Sequence, residues 1–449
     1  MKTFALTALL WLAACQAGWA QRKVILDTDP SSDPDDVGCM AMLHSMASRG
    51  ECEILAVINS IDHKQGPLSI SAINGFYGRN AIPVGDFKGY EHTKDAPGDL
   101  YSFMLAKEYD RSLQSHSDAI DSVSLYREIL ASADTKSITI IVIGTMHNLD
   151  ALLRSEACVH SSLDGKDLVR EKVQMVVTMG GNFIDGKGLD RTNWGGADEL
   201  CGYTEWSCLN PERNRMCRFV IENCGAPFVA SGWEVGCGDY HDAEQGNVMT
   251  GQELKSLAPE HIVRRSYEYH FSTRGGSERI DRHSNDQCAL HYAIRGEETN
   301  YKAYLNGDID LSETGVCRWS PTPNRGQGYI QKNRESEAIA QEIEALMLGE
   351  VIDVTSTPTA PTQVSHEMTG DQSLRLRWKA ATDPHIGNWV VAYRIYRNDQ
   401  PVGMAYGTQF MDTLELDQPR QRVTYRIDAI NASGAQSAGP EVQVALRGP

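Results

Sequence analysis

The sequence predicts an α/β protein, an open and mostly parallel sheet of buried strands, followed by a C-terminal β-sandwich. Three observations carry this. Short apolar runs alternate with amphipathic helical stretches from Lys23 to Leu348. Two of the runs, Ser137–Ile143 and Val173–Met179, are nearly unbroken β-branched and apolar residues, the pattern of strands covered on both faces. Beyond the tract Thr355-Ser-Thr-Pro-Thr-Ala-Pro-Thr362 the pattern changes to alternation over short strands.

Taken in order, Lys23–Ile25 opens a strand that ends in acids, and Val37–Ala47 reads as a helix with Cys39, Met40, Leu43 and Met46 on one stripe. Glu53–Ile58 is a strand, Ile70–Tyr77 a helix and Ile82-Pro83-Val84 a short strand. Helical patterns at Ser122–Ser132 and Asn148–Ser155 separate the two apolar runs. Pro227–Ala230 reads as a further strand and Glu335–Leu348 as a last amphipathic helix. A Pro/Thr tract without hydrophobic periodicity is a linker. After it come Leu374–Trp378, Val391–Arg397 and Thr424–Ile430, short strands around one apolar Trp378, as in a sandwich. The expected organisation is therefore a leader over 1–20, an α/β unit over 22–353, a linker over 354–362 and a sandwich over 363–449.

The leader rests on Lys2, an apolar run from Phe4 to Ala14 and a polar turn at Gln21-Arg22-Lys23. About 11 apolar residues suit a secretory signal, whereas a spanning helix needs about 20. Gly18-Trp19-Ala20 offers a cleavage site before Gln21, and export to the periplasm or outside the cell is the expectation. Leu12-Ala13-Ala14-Cys15 resembles a lipoprotein box and leaves open an anchor through Cys15. Lys plus Arg total 42 against 60 Asp plus Glu, a formal charge of −18. Such an acidic body is repelled by phosphate backbones and anionic lipid, which argues against nucleic acid and membrane surfaces as partners. Of eleven cysteines, Cys201, Cys208, Cys217, Cys224 and Cys237 crowd into one stretch without a close C-x2-C pair. In an exported chain, disulfides are expected for some of them. Cys39 and Cys288 lie in apolar helical patterns and read as buried thiols.

Val24-Ile-Leu-Asp27-Thr-Asp29-Pro-Ser-Ser-Asp33-Pro-Asp35-Asp36 places five carboxylates in ten residues, between a strand and a helix. In an open α/β sheet the ligand crevice lies outside the carboxyl ends of the strands. Acids at a helix N-terminus are favoured, which accounts for one or two. Five crowded acids repel unless a cation neutralises some of them, and an oxygen-only set suits Ca2+. Asp27-x-Asp29 also matches the opening of a haloacid-dehalogenase-type phosphatase, a reading that leaves Asp33, Asp35 and Asp36 unused. An EF-hand loop counted from Asp27 would need Gly at Ser32 and Glu at Gly38.

The chain resembles the nucleoside hydrolases, in the branch whose acidic motif is D-T-D-x-x-x-D-x-D-D. Asp27, Asp29, Asp33, Asp35 and Asp36 match that spacing. Further resemblances follow in order. They are Ala72–Arg79, Ile82–Gly85, Gly144-Thr-Met-His-Asn-Leu149, Val176–Gly181, Thr204-Glu-Trp-Ser207 with Asn210-Pro-Glu212, Ser231–Gly236 and Ser284-Asn-Asp-Gln287. The sandwich, from Pro361 through Trp378, Tyr393 and Tyr425 to Gly434, resembles a fibronectin type III module, usually a spacer or adhesive arm. The first resemblance implies cleavage of a glycosidic C–N bond in a nucleoside or related N-ribosyl compound. It implies Ca2+ held by Asp29, Asp36, Asp286 and the backbone carbonyl of His147. Asp29 would take a proton from water whose pKa the cation lowers. Asp33 and Asp35 would meet sugar hydroxyls, as would Glu205 and Ser207. Asn59 or Ser60 would supply another contact, and Asn285 stands where many members carry His. Trp194, Tyr203, Trp206 and Trp233 are candidates for stacking on a base. His241, His270 and His283 are candidate acids for the leaving group. A non-catalytic relative that keeps the pocket and binds its ligand is the alternative. Oligomeric state is left open by the sequence, a homo-oligomer being one option.

Overall fold

The computed structural model describes residues 21–31, 33–89, 98–184, 193–195, 210–238, 246–276, 279–297, 300–349, 356–370, 372–414 and 420–447. The expected leader with Cys15 lies outside the described residues. So do Cys201, Tyr203, Glu205, Trp206, Ser207, Cys208 and His241.

In chain order the α/β part comprises β1 (Arg22–Thr28), α1 (Asp35–Ser48), β2 (Cys52–Asn59), α2 (Gln65–Phe76), β3 (Val84–Asp86), α3 (Tyr101–Glu108), β4 (Ile120–Asp121), α4 (Ser122–Ser132), β5 (Ile138–Val142), α5 (His147–Arg154), α6 (Gly165–Lys172) and β6 (Val173–Met179). It continues with α7 (Pro211–Asn223), β7 (Phe228–Ser231), α8 (Trp233–Cys237), β8 (Met249–Thr250), α9 (Ile262–Ser272), β9 (Arg282–His283), α10 (Asn285–Arg295), β10 (Tyr301–Leu311), β11 (Cys317–Ser320), β12 (Gln327–Lys332) and α11 (Ser336–Met347). One ten-stranded sheet runs β11–β10–β12–β7–β6–β5–β1–β2–β3–β4. Every pairing from β12 across to β4 is parallel, and β10 and β11 add an antiparallel edge.

The unbroken apolar runs have the reason inferred from them. Along β1, Val24 and Leu26 join the core on one face while Ile25 joins the core on the other. In β5, Ile140 and Val142 face the second core and Ile141 the first. Helices therefore cover both faces, with α1, α10 and α11 on one side and α4, α5, α6 and α7 on the other. The predicted strands and helices recur within a few residues of their expected bounds, Ser122–Ser132 without change. The hairpin strand β10 had no apolar signature because seven of its residues are only partly buried or exposed. Helix α7 was missed because its stripe is broken by arginines, although Pro211 at its first turn and the Asn210 cap (Oδ1 to Arg213 N, 3.0 Å) are start signals.

The C-terminal part forms two antiparallel sheets. One contains β13 (Thr362–Gly370), β14 (Ser373–Lys379) and β17 (Gln409–Thr413). The other contains β15 (Val390–Arg397), β16 (Gln400–Ala405), β18 (Arg420–Asn431), β19 (Gln436–Ser437) and β20 (Glu441–Arg447). Leu374, Leu376, Trp378, Ile395, Tyr425 and Ile427 fill the space between them. This unit packs against the α/β part. Trp389, Val391, Ala392, Ile430 and Ala432 belong to the main α/β core, and Trp389 Nε1 donates to the Ile54 carbonyl at 3.0 Å. On the opposite side of the contact, Tyr406 N donates to Glu128 Oε1 (2.8 Å) and Thr408 N to Ser132 Oγ (3.1 Å).

The disulfide expectation is also corrected where it can be tested. Cys224 and Cys237 are buried free thiols, and Cys217 directs its sulfur at the Asn193 carbonyl (3.6 Å). Burial pushes both the Cys224 and the Cys237 thiol up, to about 11 and about 12, so each stays protonated and inert. Cys39 and Cys288 are buried thiols as read from the sequence.

Candidate functional site

Strand β1 is flanked by β2 on one side and β5 on the other, so chain order reverses beside it. The carboxyl ends of β1 and β5 thus form the topological switch point where open α/β sheets bind ligands. The acid run follows β1 at this point, and Gly144-Thr-Met-His147 follows β5. The two turns touch. Ile143 N donates to the Asp27 carbonyl (2.8 Å), and a Cβ on Gly144 would stand 2.8 Å from Asp29 Oδ1. Only glycine lets the Asp29 carboxylate lie this close to the β5 turn.

Asp35 and Asp36 occupy the first turn of α1, and Asp286 the first turn of α10. The two helices pack through a close approach at Gly38, where a Cβ would meet Gln287 Nε2 at 2.5 Å and Tyr267 Oη at 2.6 Å. Their N-termini therefore face one another, 250 residues apart in sequence. Asp35, Asp36 and Asp286 each offer a carboxylate oxygen within 4.8 Å of the others. They are 7, 4 and 5% exposed, so water does not screen their repulsion. Two helix N-termini offset part of it. Burial, and then the neighbouring acids, push all three carboxyls well above the ordinary carboxylate range. Such a group is protonated near neutral pH or holds a cation. Hard oxygen donors clustered in this way fit a divalent ion of the Ca2+ type.

The remaining predicted residues fall around this triad. The half-buried Asp29 donates its backbone N–H to Asp36 Oδ1 (3.2 Å), which Thr28 Oγ1 also reaches at 2.5 Å. Burial raises the Asp29 carboxyl to about 6, against the opposing field of Arg213. Asp27 is fully buried and accepts from Asn148 Nδ2 (3.0 Å) and Tyr126 Oη (3.2 Å), which leaves no open face for a phosphatase-type nucleophile. Asp33 sits at the mouth and takes both Nε and Nη2 of Arg282. Asn59 is buried, its amide donating to Asp86 Oδ1 and the Ile61 carbonyl, both at 2.9 Å. Ser60 Oγ donates to the Thr28 carbonyl (3.3 Å). His147 begins α5, its Nδ1 2.6 Å from Thr145 Oγ1, and burial with Arg213 nearby lowers its pKa to about 4. Asn285 Nδ2 points to Cys237 Sγ (3.1 Å), while its buried Oδ1 has no hydrogen-bond partner.

Trp194 is fully buried against Phe183 and Phe228 and is a core residue. Trp233 is half-buried, its ring 6.4 Å from that of His283. Three residues were not anticipated. Arg282 and Arg213 bring positive charge to the acids, and Tyr101, at the start of α3, directs a buried hydroxyl without a hydrogen-bond partner into the field of Asp36 and Asp35. Arg282 was within sight of the motif, four residues before Asp286. Nothing local marks Tyr101 or Arg213.

Neither a protein-family profile nor a curated protein matches the chain. Solved structures do. A plant nucleoside hydrolase aligns with 15% identity over 73% of this chain and 98% of its own, with a TM-score of 0.50. An inosine-guanosine nucleoside hydrolase gives 16%, 73%, 98% and 0.50. The type III effector protein XopQ, complexed with adenosine diphosphate ribose, gives 15%, 77%, 98% and 0.51. The α/β part thus has the nucleoside hydrolase-like fold.

Proposed function

We propose that this protein is an exported, Ca2+-dependent hydrolase of the N-glycosidic bond of a nucleoside or related N-ribosyl compound. The single observation that carries the reading is the meeting of Asp35 and Asp36 with the sequence-distant Asp286, all buried, at a switch point bordered by Asp29. Asp36 and Asp286, with Asp29 and the His147 carbonyl beside them, would hold the ion. When bound, Ca2+ lowers the pKa of water and adds positive charge among the acids. Asp29, with a carboxyl near 6, is poised to accept a proton at neutral pH. One water is consumed. Its oxygen bonds to the anomeric carbon as the C–N bond breaks, and its proton passes through Asp29 toward the departing base. The carboxylates left ionised stabilise the positive charge that develops on the sugar. Asp35, with Ser60, Glu205, Ser207 and Asn285, is the proposed sugar-facing set.

The test is a nucleoside panel read by mass spectrometry with and without chelator. Free base and free sugar should appear only with Ca2+, and Asp29→Asn should reduce turnover by several orders of magnitude in a folded protein. A second reading, a binding protein that retains the pocket, is supported by the fold shared with an effector solved with adenosine diphosphate ribose. Saturable binding without product release would favour it.

A further inference from the structure

We infer that the Asp33–Arg282 pair is a clamp that holds the two metal-bearing helix N-termini in register, so that Asp33 is a positioning residue rather than a sugar ligand. This rests on the metal reading above and refines it. The pair joins segments far apart in sequence, each within four residues of an acid of the triad. Asp33 lies two residues before Asp35 in the turn into α1. Arg282 lies four residues before Asp286, in the short antiparallel β8–β9 pair whose second strand leads into α10.

The geometry is that of a fork on a carboxylate. Arg282 Nε stands 2.9 and 3.0 Å from the two oxygens of Asp33, and Nη2 bonds Oδ2 as well. Such bidentate pairing constrains orientation as well as distance. The strand pair that carries Arg282 is itself fixed. Thr250, which pairs with Arg282 across it, shares a 2.7 Å hydrogen bond with Ser284, and Ser284 N donates to the Val248 carbonyl at 2.9 Å. Movement of Arg282 is therefore transmitted to the first turn of α10.

The occupancy of Asp33 is the second part of the argument. With both oxygens engaged by one guanidinium, the carboxylate already has the partner its charge requires. Asp35, by contrast, makes no ion pair among the described residues and is itself one of the three triad acids. The two acids therefore divide the work. Asp33 fixes the turn that presents Asp35 and Asp36, and Arg282 does the same for Asp286.

The experiment measures Ca2+ affinity without substrate, by calorimetry or by Tb3+ luminescence with Ca2+ competition. It uses the full chain, Asp33→Asn, Arg282→Gln and the double variant, each checked for fold by circular dichroism. Loss of an outer-shell partner typically weakens metal affinity about 10–100-fold. Each single variant should fall in that range, and the double variant should be no weaker than the worse single. Arg282→Lys, which keeps charge and loses the fork, should fall between wild type and Arg282→Gln, and it stands in if Arg282→Gln fails to fold. Unchanged affinity in Asp33→Asn, with only KM for a nucleoside raised, would overturn the clamp and return Asp33 to the sugar. Additive losses in the double variant would overturn it too. A wild-type protein that takes up no Ca2+ would instead remove the metal reading, and the clamp's role with it.

Discussion

Gly144→Ala adds one methyl group where β5 leaves the sheet, and its effect can be worked out from the site. Gly144 is not in the left-handed region, so alanine meets no backbone strain. The new Cβ would stand 2.5 Å from Ser60 Oγ and 2.8 Å from Asp29 Oδ1, where ordinary contact begins at 3.4 Å. Ser60 can rotate away. Asp29 is tethered, its backbone N–H on Asp36 Oδ1 at 3.2 Å, so the carboxylate must yield by about 0.6 Å. Misplacing a reacting group by about 1 Å costs about 100-fold in rate. The expected loss in kcat/KM is thus about 10- to 100-fold, equivalent to about 1.4–2.7 kcal/mol of transition-state stabilisation. Overpacking should also lower stability by about 1–3 kcal/mol, which leaves the protein folded at 25 °C. Steady-state kinetics on the best nucleoside of the panel, with a thermal melt and a Ca2+ titration, separate the two effects. A folded variant within twofold of wild-type kcat/KM would refute the placement of Asp29 at the reacting centre.

Three further outcomes are expected. Ca2+ at 100 times its Kd should stabilise the chain by about 2.7 kcal/mol, reversed by chelator; a melting temperature indifferent to both would count against the triad as a metal site. Burial raises the Glu128 carboxyl to about 7 at the contact with Tyr406. A raised carboxyl binds its proton more tightly in the folded state, so its stabilisation is complete below about pH 4.5 and is lost as pH rises through 7. That amounts to at most about 3 kcal/mol. Glu128→Gln should flatten this slope in melts between pH 5 and 8, and an unchanged slope would exclude Glu128 as its source. Trp389→Ala removes a side chain only 3% exposed and its bond to Ile54, for about 3–5 kcal/mol. Separate unfolding transitions for the sandwich and the α/β unit are expected in calorimetry; a single transition at the wild-type temperature would show the contact to be incidental.

Much of the scaffold was legible because its signals are local. Ser137–Ile143 declares a doubly covered strand by composition alone, and Ser122–Ser132 declares its helix by pattern; the structure adds the Asp121 cap, whose Oδ1 accepts from Ser124 N at 2.8 Å. Strand β10 and helix α7 were not legible, since partial exposure removes the periodicity on which such reading depends. The sandwich was recognisable from Trp378 and its alternating strands, yet its docking was not. Trp389 reads like any apolar residue of a β-module until Ile54 is found beside it.

The sequence by itself determined the α/β class, the crowding of Asp27 to Asp36 at the end of the first strand, and therefore the need for a cation or protons among them. Charge repulsion at short separation along the chain requires no coordinates. Tertiary structure alone decided which acids meet. It brought Asp286 to Asp35 and Asp36 through the Gly38 contact of α1 with α10, gave Asp33 to Arg282, and aimed Tyr101 at the same cluster. These pairings join residues up to 251 positions apart, and no local periodicity encodes a contact whose partners are brought together only by the packing of helices over the sheet.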